Sequence, residues 1–431
     1  MELVVIGGGP AGRTAAMEAS KLEAEVTLIE KDKIGGKCLH KGCMVICGLN
    51  EVAKFYLDSQ NYQKLGISNV IPEINFREVT SKLRETTRKI KKVLEYETKS
   101  TGVDIVKGEA QIQKGSVSVN HEEIPYDKLI IGTGSRAMMP PIKGIENAIT
   151  YANIPYMEDL PERLLIVGSG VMAAEFASIF SSFGSEVQIF CRNKFLKMLD
   201  PEIKDYVVKN LLPDVKITER ARVDEIINNG LIMPQETIEG QVLMATGLTP
   251  NSEIAQNIVK IGDHKEILVN SHMQTSEPNI YAAGDVIGGV TNTPISRMEG
   301  VIAARNACGV SSIMDYSWTP QSISLYYDVS FLSPQDHQAG TVATIPGSAG
   351  PGSFWRALDG KTGLTKVSVD LDEGLITGVS SIAPSSRTNM AYLAKMIRDG
   401  YKAPEFDDFL EVHPSTDAVY KLLRFFGEYS S

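Results

Sequence analysis

The chain has 431 residues, of which 43% are hydrophobic and 22% charged, an ordinary globular composition with material for about two to four domains. Its net charge of −10 argues against nucleic acid as a partner, because phosphate binding needs clusters of Lys and Arg. No apolar run is long enough to cross a bilayer, and the first residues resemble a strand rather than a signal peptide, so we expect a cytoplasmic protein without a membrane partner.

The first predicted unit is a strand, a glycine-rich turn and an alanine-rich helix. The strand covers residues 3–6, and Gly7, Gly9 and Gly12 follow with the spacing G-x-G-x-x-G. A second strand ends at Glu30, where a carboxylate can accept hydrogen bonds from ribose hydroxyls. In this order the pattern predicts a βαβ dinucleotide-binding unit, with the pyrophosphate at the helix N-terminus.

Two cysteines follow this unit closely, at positions 38 and 43. A spaced pair by itself is compatible with a metal site, a redox pair or coincidence. A disulfide across so short a loop would stabilise the fold only weakly, and in the cytoplasm disulfides are usually transient and catalytic. The position of the pair therefore favours a redox function.

The middle of the chain repeats the first pattern. A helical region covers about 49–101, and a later strand runs into Gly134. Another strand then leads to Gly168, Gly170 and Ala173, which predict a second dinucleotide-binding unit. Its second strand is followed by Arg192 and Lys194 instead of an acid. Cations at this point suit the 2′-phosphate of NADPH, which we favour over NADH, although a solvated basic patch is the alternative.

The last third contains two isolated candidates for chemistry. A strand running into Gly247 closes the second unit, and an apolar strand then places Asp285 at its carboxyl end, followed by a helix over about 295–306. Alternating segments predict antiparallel strands over 326–331, 364–369 and 375–382, with helices over about 387–400 and 416–428. His413 precedes a proline on the loop between these helices, where Asp417 could cap the last helix. A lone histidine is more often structural than catalytic.

With these motifs in order, the whole chain resembles the pyridine nucleotide–disulphide oxidoreductases. The resemblance implies an α/β fold with two Rossmann-like dinucleotide-binding domains and a C-terminal α+β dimerisation domain. The expected boundaries are 1–145 with 265–315 for the FAD domain, 146–264 for the NAD(P) domain and 316–431 for the interface domain. The implied cofactors are FAD and NADPH or NADH, with no metal.

The resemblance also assigns roles to residues. FAD would contact Gly7, Gly9, Gly12, Glu30, Gly134 and Asp285, while Gly168, Gly170, Ala173, Glu175, Arg192, Lys194 and Gly247 would serve the nicotinamide dinucleotide side. Hydride would pass through the flavin to a Cys38–Cys43 disulfide and on to a low-molecular-weight disulfide, or in reverse from a dithiol as in dihydrolipoamide dehydrogenase. His413 of a second subunit would complete the active site of a homodimer.

The sequence departs from the family pattern near the flavin and the base. Cys47 stands where the family has a lysine that pairs with the glutamate at Glu175, so we expect Glu175 to have a raised pKa or another partner. Cys47 reads as a small apolar filler or as a third redox thiol on the helix face of Cys43. Leu248 replaces an arginine, and Ala418 replaces the acid that orients the histidine. These changes keep open an alternative function as a flavin-containing redox sensor or binding protein.

Overall fold

The computed structural model describes residues 1–67, 69–332, 340–415 and 418–428. Asp417, predicted as a helix cap, lies outside these ranges. Within them, no helix is long and apolar enough to pass through a bilayer. Strands and helices mix along the chain and parallel sheets dominate its first two-thirds, which confirms the predicted α/β class.

The first unit begins at the N-terminus and carries both cysteines of the pair. Its elements are β1 (Glu2–Ile6), α1 (Pro10–Lys21), β2 (Glu25–Glu30), α2 (Gly36–His40), α3 (Cys43–Lys64), α4 (Phe76–Ser100), β3 (Asp104–Lys107), β4 (Gln111–Gln113), β5 (Ser116–Val119), β6 (Glu122–Pro125), β7 (Lys128–Ile131) and β8 (Ser135–Ala137). The long helical region of the prediction is thus two helices, α3 and α4. Asn75 caps α4 by accepting a hydrogen bond from the backbone of Glu78 at 3.1 Å.

The second unit repeats the strand–helix–strand order. It contains β9 (Ile149–Thr150), β10 (Arg163–Gly168), α5 (Val171–Ser182), β11 (Glu186–Cys191), α6 (Pro201–Tyr206), β12 (Val215–Glu219), β13 (Glu225–Ile227), β14 (Gly230–Ile232), β15 (Thr237–Glu239), β16 (Gln241–Ala245) and β17 (Leu248–Pro250). Its main sheet has the order β12-β11-β10-β16-β9, and the neighbours in it run parallel.

The chain then returns to the first unit with β18 (Ile280–Ala282) and α7 (Thr293–Ala307). The first sheet has the order β18-β7-β1-β2-β3. Its edge strand β18 therefore comes from the part of the chain that follows the second unit. Alanines at 11, 15, 16 and 19 give α1 a thin buried face. A Cβ on Gly300 of α7 would lie 2.3 Å from the carbonyl oxygen of Ala11, so glycine permits the close packing of these helices.

The remaining elements form a third unit around an antiparallel sheet. They are β19 (Gln321–Ser324), β20 (Asp328–Leu332), β21 (Thr341–Pro346), β22 (Leu364–Asp370), β23 (Leu375–Ala383), α8 (Ser386–Arg398) and α9 (Val419–Gly427), and the sheet order is β19-β20-β23-β22-β21. The three predicted strands and two predicted helices of this region are confirmed. The domain boundaries themselves stay predictions.

One buried cluster connects the cysteine-bearing helix with the other units. Val45 and Leu49 of α3 are fully buried and belong to the same apolar core as Phe176 and Phe180 of α5 and Val329 of β20. Burying such side chains contributes about 1.5–3 kcal/mol each. The beginning of α3, where Cys43 lies, is therefore held in place by both the second and the third unit.

Candidate active site

The first glycine turn joins β1 to α1 with very close backbone contacts. A Cβ on Gly12 would lie 1.9 Å from the carbonyl oxygen of Gly7, and a Cβ on Gly7 would lie 2.3 Å from the carbonyl oxygen of Gly132. Neither position therefore accepts a side chain. A Cβ on Gly9 would meet no atom within 4 Å, so this part of the backbone is open to an approaching ligand.

Glu30 lies at the end of β2 beside this turn. One carboxylate oxygen accepts the backbone N–H of Gly8 at 2.6 Å, and the other accepts that of Asp32 at 2.6 Å. Each carboxylate oxygen has a further lone pair available. The acid is thus fixed in the position where the sequence predicts a ribose contact.

Cys38 and Cys43 come together at the α2–α3 junction. Both are free thiols, and Cys43 is the first residue of α3. The hydroxyl of Thr293, the first residue of α7, lies 3.1 Å from Cys38 Sγ and 3.6 Å from Cys43 Sγ. Thr293 is 255 residues from Cys38 in sequence, and no spacing rule identifies it.

The two thiols differ in acidity. A hydrogen bond from Cys38, with further help from Thr293 and the charge of Lys37, lowers the pKa of Cys43 to about 6. The same thiol–thiol hydrogen bond, together with burial, raises the pKa of Cys38. At neutral pH the thiolate therefore resides on Cys43, and Cys38 holds the proton.

Lys37 is a residue of the site that the sequence did not identify. Its ammonium group donates to Ser135 Oγ at 2.6 Å and forms an ion pair with Asp285 at 2.5 Å. Ser135 donates to the same Asp285 oxygen at 2.7 Å. The only available signal was the position of Lys37, directly before Cys38.

Glu175 has a hydrogen-bond partner in place of the lysine that the family pattern would provide. Its carboxylate accepts the backbone N–H of Ser324 in β19 at 2.9 Å. Burial, with a contribution from the negative charge of Cys43, raises the pKa of Glu175 to about 7. Both outcomes expected for this residue are present together.

Cys47 is exposed and contacts a carboxylate, so its interpretation as a small apolar filler is wrong. The side chain is exposed on α3, and its sulfur lies 3.7 Å from the carboxylate of Glu51. Partial desolvation of the sulfur atom and the nearby Glu51 carboxylate raise the pKa of this thiol, which keeps it protonated.

The second glycine turn repeats the geometry of the first. A Cβ on Gly168 would lie 2.2 Å from the carbonyl oxygen of Ala245, whereas one on Gly170 would meet nothing within 4 Å. Ala173 is fully buried in α5, where a small side chain lets the helix pack on the sheet. Gly134 and Gly247 both have positive φ (66° and 112°), next to the strands β8 and β17 that pair with each other.

Arg192 and Lys194 follow β11 and are exposed. An acid that the sequence did not identify, Glu219, lies near them at the end of the neighbouring strand β12. Its carboxylate accepts the backbone N–H of Phe195 at 2.8 Å and forms an ion pair with Lys204 at 3.3 Å. Glu219 is thus engaged within the protein, whereas Arg192 and Lys194 make no ion pair with any of the described residues.

His413 lies on an exposed loop before α9. Among the described residues it makes no hydrogen bond to Cys38 or Cys43 of its own chain. Ala418, which replaces the acid of the family motif, is buried at the start of α9. The single chain therefore brings the two thiols, Thr293, Lys37 and Asp285 together, but not the predicted base.

Comparisons with known proteins identify relatives of the chain. The model of the pyridine nucleotide-disulphide oxidoreductase family matches residues 1–304. An uncharacterized protein of Methanocaldococcus jannaschii is 33% identical over 98% of both chains. A dihydrolipoyl dehydrogenase of Acholeplasma laidlawii is 31% identical over 71% of this chain and 95% of its own length, and that of Bacillus subtilis is 28% identical over 96% of both.

The fold is also found in solved structures. The HOCl-induced flavoprotein disulfide reductase RclA of Escherichia coli superposes with a TM-score of 0.87 and 24% identity, over 99% of this chain and 98% of the other. LpdA of Mycobacterium tuberculosis gives a TM-score of 0.87 at 20% identity, over 100% and 99% of the two chains. At these identities the likeness extends to the fold alone.

Proposed function

The chain belongs to the pyridine nucleotide-disulphide oxidoreductase family, and from this premise we propose that it is an FAD-dependent NAD(P)H:disulfide oxidoreductase acting on a low-molecular-weight disulfide, or in reverse on a dithiol. The observation that carries the proposal is the position of the thiol pair. Gly35, at the start of α2, donates its N–H to the carbonyl oxygen of Gly8 at 2.8 Å, so the cysteine segment rests directly on the first glycine turn.

The residues of the first unit fit an FAD molecule. The open backbone at Gly9 and the N-terminus of α1 suit the pyrophosphate, and Glu30 suits the ribose of the adenosine half. Asp285 and Gly134, at the carboxyl edge of the sheet, suit the remainder of the molecule. When bound, FAD would carry the electrons of hydride between the nicotinamide and the cysteine disulfide.

The cysteines divide the exchange chemistry between them. With both thiols reduced, Cys38 loses its proton and attacks one sulfur of the substrate disulfide, forming a mixed disulfide and releasing the first thiol. The Cys43 thiolate then attacks Cys38, re-forms the Cys38–Cys43 disulfide and releases the second thiol. The low pKa of Cys43 and the raised pKa of Cys38 support this order, because Cys38 needs a base and Cys43 does not.

We assign the base to His413 of a second copy of the chain. A homodimer is supported by large apolar side chains that are exposed around the His413 loop, including Leu410 (92% exposed) and Val412 (85%). Large apolar side chains that are exposed close together in the chain suit an interface between subunits. In that position His413 would take the Cys38 proton and return it to the leaving thiolate.

The second glycine turn would bind the nicotinamide cofactor through Gly168, Gly170 and Ala173, with Glu175 on the same helix. Arg192 and Lys194 favour NADPH, since a 2′-phosphate would pair with two cations that form no ion pair with a described residue. Gly247, which follows β16 of the same sheet, is the remaining residue that we assign to the binding site of the nicotinamide cofactor.

The proposal is tested by reconstituting the purified protein with FAD and reducing it anaerobically with NADPH or NADH. We expect a long-wavelength thiolate–flavin band and turnover on at least one member of a panel of lipoamide, glutathione disulfide and related disulfides. The variant Cys38→Ser should retain FAD and lose turnover. A wild-type protein that stays colourless with FAD contradicts the proposal, whereas a band without turnover on any disulfide favours the redox-sensor alternative.

A further inference from the structure

Lys37 is the centre of a partly buried charge cluster on the carboxyl edge of the first sheet. Its side chain is 26% exposed and that of Asp285 is 14% exposed. The ammonium group also lies 6.0 Å from the ring centroid of the buried Tyr151. Desolvation offsets much of the Coulombic gain of such an ion pair, but removal of one partner is costly because it leaves the other charge partly buried without compensation.

The backbone around Lys37 fixes this position. A Cβ on Gly36 would lie 2.9 Å from the Cα of Gly9, so α2 begins in contact with the first glycine turn. Cys38 is the next residue after Lys37. Gly42, the residue before Cys43, donates its N–H to the carbonyl oxygen of Lys37 at 2.8 Å, so Lys37 is adjacent to both cysteines of the pair.

The donors of the ammonium group are not all used. A lysine side chain has three N–H donors. Ser135 and Asp285 accept two of them, which leaves one for another acceptor. Because Asp285 and the glycine turn are the proposed FAD contacts, the acceptor that we expect for the remaining donor is a hydroxyl or phosphate oxygen of FAD.

We propose that Lys37 has two functions: it orients Asp285 and donates to an FAD hydroxyl or phosphate oxygen, and its charge stabilises the thiolate of Cys43. The first function rests on the proposed FAD-dependent activity, whereas the second concerns the thiols alone. The same cation would thus influence both the cofactor and the cysteine that exchanges electrons with it.

The test uses apoprotein of the wild type, Lys37→Met and Lys37→Arg, with Lys33→Met as the matched control. Lys33 is exposed on the same segment and makes no ion pair with a described residue. FAD affinity is measured by flavin fluorescence during titration. The acidity of Cys43 is measured separately, without FAD, from the pH profile of iodoacetamide alkylation of the reduced protein.

We expect Lys37→Met to weaken FAD binding about 10- to 100-fold, the usual loss for a hydrogen-bonded charge. Its alkylation midpoint should move to higher pH. Lys37→Arg should keep the wild-type midpoint because it keeps the charge, and Lys33→Met should match the wild type in both measurements. If Lys37→Met does not fold, Lys37→Gln takes its place in the alkylation measurement, with the same expected shift.

Either an unchanged FAD affinity or an unchanged alkylation midpoint in Lys37→Met overturns the proposal. Failure of the proposed function gives a different result. In that case the wild-type apoprotein itself does not bind FAD, while the alkylation profiles still report on the charge of Lys37.

Discussion

The hydroxyl of Thr293 lies 3.1 Å from the sulfur of Cys38, and the same oxygen is 3.6 Å from the sulfur of Cys43. One side chain at the N-terminus of α7 therefore contacts both members of the thiol pair. Since a hydroxyl carries a single proton, it can stabilise whichever sulfur holds the negative charge. The contact helps to lower the pKa of Cys43, and it partly offsets the rise in the pKa of Cys38 that the Cys43 hydrogen bond and burial cause.

Replacing Thr293 by valine removes the hydroxyl and retains the shape of the side chain. We expect the alkylation midpoint of Cys43 in the reduced protein to rise by about one pH unit, the effect of losing one hydrogen bond to a charged sulfur. The exposed neighbour Thr291 gives the control variant Thr291→Val. A midpoint that is the same in Thr293→Val as in this control would contradict the role of the hydroxyl.

The raised pKa of Glu175 predicts that the free energy of unfolding depends on pH. Burial raises its pKa from 4.5 to about 7, so the folded protein binds the proton more tightly than the unfolded chain does. This contribution to stability is complete below pH 4.5 and is lost as the pH rises through 7, at a cost of about 3 kcal/mol. Glu175→Gln cannot ionise and escapes the loss.

The measurement is urea unfolding of the purified protein at pH 5 and pH 8. Because part of the loss has already occurred at pH 5, Glu175→Gln should gain about 2–3 kcal/mol in free energy of unfolding relative to wild type between pH 5 and pH 8. The exposed Glu162→Gln should show no such change. If both variants follow the wild type at the two pH values, Glu175 is ionised in the folded protein and our explanation fails.

The choice of nicotinamide cofactor depends on Arg192 and Lys194. We expect the double variant Arg192→Ala/Lys194→Ala to bind NADPH about 10- to 100-fold more weakly, because two cations to the 2′-phosphate are lost. Binding of NADH should change less than twofold. Lys209→Ala, which removes an exposed lysine paired with Asp205, is the control. An equal loss of affinity for both cofactors would argue against 2′-phosphate recognition.

Subunit mixing tests the position of His413. Cys38→Ser and His413→Ala should each be inactive alone. Refolded or coexpressed together at equal amounts, they should recover about a quarter of wild-type activity, since half of the dimers are mixed and each mixed dimer has one intact site. Mixing Cys38→Ser with Cys43→Ser should restore nothing. Activity that does not return in the first mixture would mean that His413 acts within its own chain or not at all.

The sequence allowed the glycine turns to be predicted because their geometry is local. Gly7 and Gly12 lie within one turn of chain, and their spacing alone requires the close contact that the structure shows. The acid at the end of β2 and the carboxylate after β18 follow from the same strand rules. The third unit was also predictable, since its strands alternate in polarity.

Contacts between distant segments were not predictable in this way. Lys37 and Asp285 are 248 residues apart, and Glu175 and Ser324 are 149 apart. These pairs depend on the order of strands in each sheet and on how the third unit packs against α5, neither of which leaves a periodic signal in the sequence. Cys47 was misjudged for a related reason, since its exposure depends on which face of α3 is covered.

The return of the chain to its first sheet also constrains how the protein is made. Translation reaches β18, Asp285 and α7 only after the entire second unit has been made. The last of these elements ends at Ala307. A ribosome that has completed only the N-terminal βαβ segment has therefore produced a nascent chain without the carboxylate or the threonine of the site. Until about two-thirds of the chain has been translated, the first sheet lacks its edge strand and α1 lacks the helix that packs on it.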